Sequence, residues 1–217
     1  MDDVDSFERE LHKAVNSKSI ETLLSLCDDP TKKRVVLDFK GYYDKKSLVH
    51  YAAEFGSVDL LKRLVCLGAN VKETAGSGKN TLHFACEKAE RETHTKMLKL
   101  LLEYGANVNE HWGDPPYGHQ PLFFALKHKL KENAKLLLEK GADISFKGRV
   151  TKIGWIDCFC LAAMNCPSLI PDFLNRGANP DTENDGSSVL IIAFENYANR
   201  NDLLALIKAG ARQRKRW

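Results

Sequence analysis

Long hydrophobic runs are missing from this sequence: no stretch approaches the roughly 20 apolar residues that a bilayer-spanning helix requires. The opening MDDVDSFERE is acidic and has no apolar region, so no secretory leader is expected there. An excess of one charge is missing as well. Lys and Arg number 32 against 29 Asp and Glu, a net +3, which gives little reason to expect polyanion binding along the whole chain. The six cysteines lack the spacing of a compact secreted disulfide scaffold and read as small buried residues in a reducing compartment. A cytoplasmic or nuclear setting, or both, is the expectation.

Catalytic and metal-binding patterns are equally scarce. AGSGKNT (75–81) is the nearest approach to a phosphate loop, yet GxxxxGK[ST] would need Gly at Glu73 and Ser or Thr at Asn80. No buried strand is expected ahead of it, so a finger leading into a helix cap is the better reading. Cys158, Cys160 and Cys166 stand close together, but zinc generally takes four ligands in pairs such as C-x-x-C. No Ser/His/Asp or Cys/His set can be assembled, and Asp28 and Asp29 read as loop residues. The sequence predicts a non-enzyme that takes no cofactor and no metal.

What the chain does hold is a repeated unit, seen most fully in NTLHFACEKAERETHTKMLKLLLEYGANVN (80–109). Asn80 suits a helix N-cap, because its side-chain oxygen can accept from an orphan helical N–H. Leu82, Phe84 and Ala85 make one apolar face, and Met97, Leu98, Leu101 and Leu102 make a second at helical spacing. Gly105 follows, where a helix stops through a residue tolerant of the left-handed conformation. Gly-Ala recurs at 68, 105, 141, 177 and 210, in steps of 37, 36, 36 and 33. Helix openings keep pace: SLVHYAA from Ser47, NTLHFAC from Asn80, QPLFFAL from Gln120, DCFCLAA from Asp157 and SVLIIAF from Ser188. Four of these first residues are strong N-caps, and the fifth, Gln120, precedes Pro121 at the first helical position. A period in the thirties with two helices per unit is a repeat solenoid.

These residues resemble the ankyrin repeat, whose motif runs Thr-Pro-Leu-His-x-Ala-Ala, then a second helix, then Gly-Ala-x-x-Asn. The resemblance covers nearly the whole chain. It implies an all-α fold, an ankyrin-repeat solenoid of stacked helix-turn-helix units with β-hairpin-like fingers. Six repeats are expected in a single domain, 1–211, at roughly 6–30, 45–70, 78–107, 118–143, 155–179 and 186–211, followed by a basic tail at 212–217. The first repeat is degenerate: Leu11, Ala14 and Val15, then Leu23, Leu24 and Leu26, give its stripes, and CDDP closes it. Val35, Val36, Leu37 and Phe39 predict a short strand before a turn at Lys40-Gly41. The third repeat has four extra residues between cap and glycine, placed in KAERETHTK as a longer first helix or a solvated bulge. Pro171 is placed in the first turn of the fifth repeat's second helix. EHWGDPPYGH is a finger rich in Gly and Pro, and SFKGRVTKIGWI is long, basic and aromatic.

The resemblance further implies a non-catalytic protein–protein interaction module, an adaptor or scaffold holding a partner segment in a groove of fingers and first-helix faces. Counted from the caps, the exposed first-helix positions are Glu54 and Phe55, Glu87 and Lys88, Lys127 and His128, Met164 and Asn165, and Glu195 and Asn196. The fingers add Tyr42, Tyr43, Trp112, Tyr117, Phe146 and Trp155, and aromatics are enriched at binding hot spots. The plainer alternative is that Phe146 or Trp155 packs back onto the base of its own finger. Residues 127–152 carry eight basic and three acidic side chains, whereas 153–211 carry three and seven. Lys127, His128, Lys147, Arg149 and Lys152 therefore favour an acidic or phosphorylated partner segment.

One alternative is a nucleic-acid-associated or nuclear regulatory protein using Lys147, Arg149, Lys152 and the tail residues Arg212, Arg214, Lys215 and Arg216. A second is a substrate-receptor or scaffold subunit of a larger enzyme complex. No membrane partner is expected, and the chain is expected to be monomeric without its partner. The resemblance implies structural hydrogen bonding for His50 and His83. It also makes Asn109, with Leu102 seven residues before it, a candidate for asparaginyl hydroxylation, although Asn107 stands where an acidic residue is usual.

Overall fold

The computed structural model describes residues 2–87, 92–113, 119–151 and 153–212. The chain opens with α1 (Asp2–Asn16) and α2 (Ile20–Cys27), and the Ser19 hydroxyl accepts from the Thr22 N–H at 3.4 Å to start the second. A 3-10 turn over Pro30–Lys32 runs into α3 (Lys33–Asp38). Regular pairs follow: α4 (Leu48–Phe55) with α5 (Val58–Leu67), and α6 (Thr81–Glu87) with α7 (Glu92–Glu103). Next come α8 (Pro121–Lys127) with α9 (Lys131–Glu139), then a hairpin of β1 (Lys147–Val150) and β2 (Gly154–Asp157). The pair α10 (Cys158–Asn165) and α11 (Ile170–Asn175) follows, then a short hairpin of β3 (Glu183–Asn184) and β4 (Ser187–Ser188). Last are α12 (Val189–Glu195) and α13 (Arg200–Lys208). The helical repeat expected from the sequence is the architecture observed.

The chain gathers into two compact units, 1–107 and 108–217. In the first, α4 lies against α6, and α5 lies between α2 and α7. In the second, α10 lies between α8 and α12, and α11 lies against α13. Small side chains make these approaches close: Ala52, Ala53, Ala85, Cys86, Ala125, Ala162 and Ala163 are all fully buried. Larger ones fill the space between helices, among them Leu61, Leu64 and Met97 in the first unit and Phe123, Leu137 and Phe173 in the second. Each such side chain contributes roughly 1.5–3 kcal/mol by leaving water.

Starts and stops are set by local chemistry. Asn80 Oδ1 accepts from the His83 N–H at 3.1 Å, and Asp157 Oδ1 from the Cys160 N–H at 2.7 Å. Ser188 forms no side-chain cap bond, and Gln120 relies on Pro121 at the start of α8. At Gly141 the backbone turns left-handed (φ +85°), and the Ala142 N–H closes back onto the Leu137 carbonyl at 3.0 Å. The same closing bond recurs at Ala69, Ala106, Ala178 and Ala211, satisfying a terminal carbonyl of each second helix.

One expectation fails. Val35–Phe39 is not a strand: residues 33–38 form α3. Asp29 Oδ1 accepts from the Thr31 N–H at 2.8 Å, which starts the 3-10 turn that feeds this helix. Val36 and Phe39, three apart, then bury together, with α1 and α2 packed against α3. The run of β-branched residues is overridden by that helical face, and no strand lies alongside it among the described residues. The described part of α7 is two residues longer than α5, and residues 88–91, between α6 and α7, lie outside the described residues. Pro171 does sit in the first turn of α11.

Two glycines separate backbone strain from crowding. A Cβ at Gly141 meets nothing within 4 Å, so Gly141→Ala should cost about 1 kcal/mol through its left-handed backbone alone. A Cβ at Gly148 would stand 2.6 Å from the Phe123 ring, so Gly148→Ala should cost roughly 1–3 kcal/mol by overpacking. Urea unfolding monitored by circular dichroism should rank Gly148→Ala as the weaker variant.

Candidate functional site

The basic finger is an ordered two-stranded element rooted on α8. Gly148 lies so close to Phe123 that only glycine lets β1 rest on that ring. Phe146 meets Phe123 edge-on, with centroids 5.5 Å apart, and His111 at 5.6 Å, and it is half-buried. It therefore packs back onto the finger's base. Trp155 does not. It stands directly across from Arg149 in the antiparallel pairing and keeps 47% of its surface exposed. Strand alternation explains the division: Gly148 and Ile156 pair on the buried face, while Arg149 and Trp155 share the outer one. Exposed Lys147 and Ile153 flank that pair, and Lys152 lies outside the described residues.

The neighbouring finger supports this one. Trp112 exchanges backbone hydrogen bonds with His119 at 3.0 and 2.7 Å, and it is half-buried with its ring 5.7 Å from the imidazole. The His119 ring stacks on Phe123 at 5.2 Å. Lys127 is half-buried with Nζ 3.4 Å from His119 Nε2, and burial lowers its pKa. His128 is exposed beside Phe124, with ring centroids 4.4 Å apart. Asn165 donates to the Leu126 carbonyl at 3.0 Å, tying the end of α10 to that of α8, and Met164 next to it is half-buried. Asn109 Oδ1 accepts from the Asp143 N–H at 2.8 Å, and its Nδ2 donates to the Gly141 carbonyl at 3.5 Å, so it staples one finger to the next. Tyr117 lies outside the described residues.

In the first unit, Tyr43 is fully exposed, while Tyr42 stacks on the buried His12 ring at 3.6 Å and stays 61% exposed. Behind them lies a charged cluster that sequence reasoning missed. Lys46 Nζ bonds Glu54 Oε2 at 2.8 Å and Asp44 Oδ2 at 3.0 Å, above the Phe84 ring at 4.8 Å. Burial opposes the charge on Lys46, but the two carboxylates outweigh it and raise its pKa. Burial likewise opposes charge on Asp44, yet hydrogen bonds from Lys46 and Tyr51 hold its pKa low. Glu54 is thus committed to Lys46, and Phe55 is half-buried against Tyr51, with centroids 5.8 Å apart. Glu87 ends α6, and Lys88 lies outside the described residues. A cleft of about 170 Å³ beside α3, lined in part by Leu37, Asp38, Leu48 and Glu73, follows from the helix that replaced the expected strand.

The histidines and cysteines are structural in their contacts. His50 Nδ1 lies 3.1 Å from the Ser47 N–H and accepts from it, which leaves Nε2 to donate to the Glu73 carbonyl at 3.0 Å. Burial pushes this imidazole down to about 4. His83 Nδ1 lies 2.6 Å from Asn80 Oδ1. Cys27, Cys86, Cys158, Cys160 and Cys166 are buried thiols and Cys66 is exposed; burial pushes Cys27 up to about 11 and raises Cys158 and Cys160 further. Among the described residues no three His, Cys, Asp or Glu side chains are grouped to hold a metal ion.

A family model described as Ankyrin repeats (3 copies) matches residues 11–111 and 49–147. A curated relative, the Ankyrin repeat and KH domain-containing protein CBG24701 of Caenorhabditis briggsae, is 30% identical over 128 residues, or 56% of this chain. The chain spans only 5% of that relative's length. The crystal structure of the human ASB11 ankyrin repeat domain superposes with a TM-score of 0.66 at 22% identity, covering 93% of this chain and 84% of that one.

The His50 contacts make stability pH-dependent in a set direction. Its folded pKa lies below the ordinary 6.5, so the neutral ring's contribution is complete above pH 6.5 and is lost as pH falls towards 4. The shift corresponds to about 3 kcal/mol at most. Urea midpoints measured from pH 7 down to pH 4 should fall more steeply for the wild type than for His50→Gln, and parallel curves would refute this role.

Proposed function

The chain belongs to the ankyrin-repeat family, whose repeats are generally protein–protein interaction modules, and from that premise we propose a non-catalytic adaptor that binds a segment of another protein. The β1–β2 hairpin carries the reading. Arg149 and Trp155 face outward side by side, and Lys147 stands next to them on a strand pair anchored to α8. Arg and Trp are the side chains most enriched at hot spots, and an ordered strand pair loses little freedom when a partner arrives. The cations select an acidic or phosphorylated segment. Tyr43 in the first unit and His128 beside Phe124 offer further exposed contacts. Trp112, Lys127, Glu54 and Asn165 are better read as supports, because all four are half-buried while Lys147, Arg149 and Trp155 are exposed. A reducing cytoplasmic or nuclear compartment suits the buried thiols.

A nucleic-acid reading draws less support. Arg212, at the head of the basic tail, donates its N–H to Asp181 Oδ1 at 2.9 Å, and residues 213–217 lie outside the described residues. A steep log–log loss of affinity with salt would favour phosphate contacts instead.

Affinity purification with wild type, Trp155→Ala and Arg149→Ala, read by quantitative mass spectrometry, identifies the partner and tests the site together. Trp155→Ala should weaken the purified partner by about 2 kcal/mol, roughly thirtyfold in Kd. Unchanged affinity in both variants would reject the hairpin as the contact. We also retain Asn109 as a hydroxylation candidate: intact mass after treatment with an asparaginyl hydroxylase should rise by one oxygen, and an unchanged mass would dispose of it.

A further inference from the structure

One contact recurs along the array with its charges changed. Each regular repeat has a position just before its helix-opening residue and another seven after it. In the second repeat these are Lys46 and Glu54, and Lys46 Nζ bonds Glu54 Oε2 at 2.8 Å. In the fourth they are His119 and Lys127, and Lys127 Nζ lies 3.4 Å from His119 Nε2. The third and sixth repeats also place a glutamate at the later position, Glu87 and Glu195. Lys127 is thus a cation where the array otherwise favours a carboxylate.

Nothing in the fold answers that charge. Among the described residues no Asp or Glu pairs with Lys127, and its contact atom is a ring nitrogen. Burial opposes the charge on both lysines. Two carboxylates outweigh it at Lys46, whereas none does so at Lys127, whose pKa is lowered. The neighbouring helix offers no help: α10 packs beside α8, and its residue at the later position is Met164. Half-burial makes Lys127 a support for the base of the finger, but its ammonium is left without a counter-charge.

The surroundings select what supplies one. His119 stacks on Phe123 at 5.2 Å, and Gly148 of β1 rests on that same ring, so the pair and the hairpin share one root. A single half-buried ammonium matches a single carboxylate, whereas a phosphate carries nearly two charges and calls for more than one fixed cation. The Lys46–Glu54 bond shows that an ammonium and a carboxylate meet well between these two positions. Such charge-assisted bonds are roughly twice as strong as neutral ones.

We propose that Lys127, set beside His119 on α8, is the seat for one glutamate or aspartate carboxylate of the bound protein segment. The seat rests on the reading of the hairpin as a binder of such a segment, and names a second anchor for it. The test uses phage-displayed random dodecapeptides selected on the full chain. Wild type should retain Glu or Asp at one peptide position. Lys127→Glu, which copies Glu195, should prefer Lys or Arg there and keep the other choices. In the synthesised wild-type peptide, Glu→Gln should weaken binding at least about tenfold. The same change should cost Lys127→Met, which copies Met164, less than about twofold.

An acidic preference that survives Lys127→Glu would refute the seat, as would equal losses in wild type and Lys127→Met. Phosphoserine binding more than about tenfold tighter than Glu would refute the carboxylate in favour of a phosphate. The hairpin is judged separately by Trp155→Ala, which should weaken every selected peptide without altering the acidic position. Reversal by Lys127→Glu with no effect of Trp155→Ala would leave the seat standing and remove the hairpin. A pool yielding no binder to wild type would overturn both.

Discussion

A single helix pair cannot hide its own apolar faces, and the fold depends on a neighbour approaching closely enough to do it. Ala52 and Ala53 on α4, and Ala162 and Ala163 on α10, hold side chains to one methyl group where another first helix must lie alongside. Within each of the two units, that closeness joins weak helix pairs into a cooperative stack. It also fixes where each finger emerges, because the chain leaves the core where the second helix stops, as at Gly141 after α9. The binding surface is therefore a by-product of the packing rule, and its rigidity is inherited from the core. Phe123 shows the link directly: it belongs to the α8 core, yet Gly148, Phe146 and His119 all rest on it.

Features governed by local chemistry were legible in the sequence. The Gly-Ala steps located every regular stop, and the closing N–H bonds from Ala69 to Ala211 show why that pair of residues recurs. Asn80 and Asp157 were readable as caps because a cap needs only its own helix. Val35–Phe39 was misread for the converse reason. Its β-branched residues favour a strand in isolation, but burial of Val36 and Phe39 under α1 and α2 decides the matter from a distance.

The site was legible only in outline. The sequence marked the finger after α9 as aromatic and basic, but strand register separates Trp155 outside from Phe146 inside. Trp112 and Trp155 looked alike as letters. They differ because the Trp112 ring is half-buried 5.7 Å from the His119 imidazole, seven residues on, which no composition rule reveals. Glu54 similarly looked like a surface contact until Lys46, eight residues earlier, claimed its carboxylate. In each case a polar or aromatic side chain marked as a contact had already been taken by a neighbour within the fold.

The distribution of thiols has its own consequence. Cys27 lies in the first repeat, Cys86 in the third, and Cys158, Cys160 and Cys166 in the fifth, all enclosed, while Cys66 alone meets solvent. An alkylating reagent can reach each enclosed sulfur only when its own layer opens. The order in which the five become labelled therefore records which layers breathe independently and which come apart together, a chronology of local opening written into the native chain without any engineered probe.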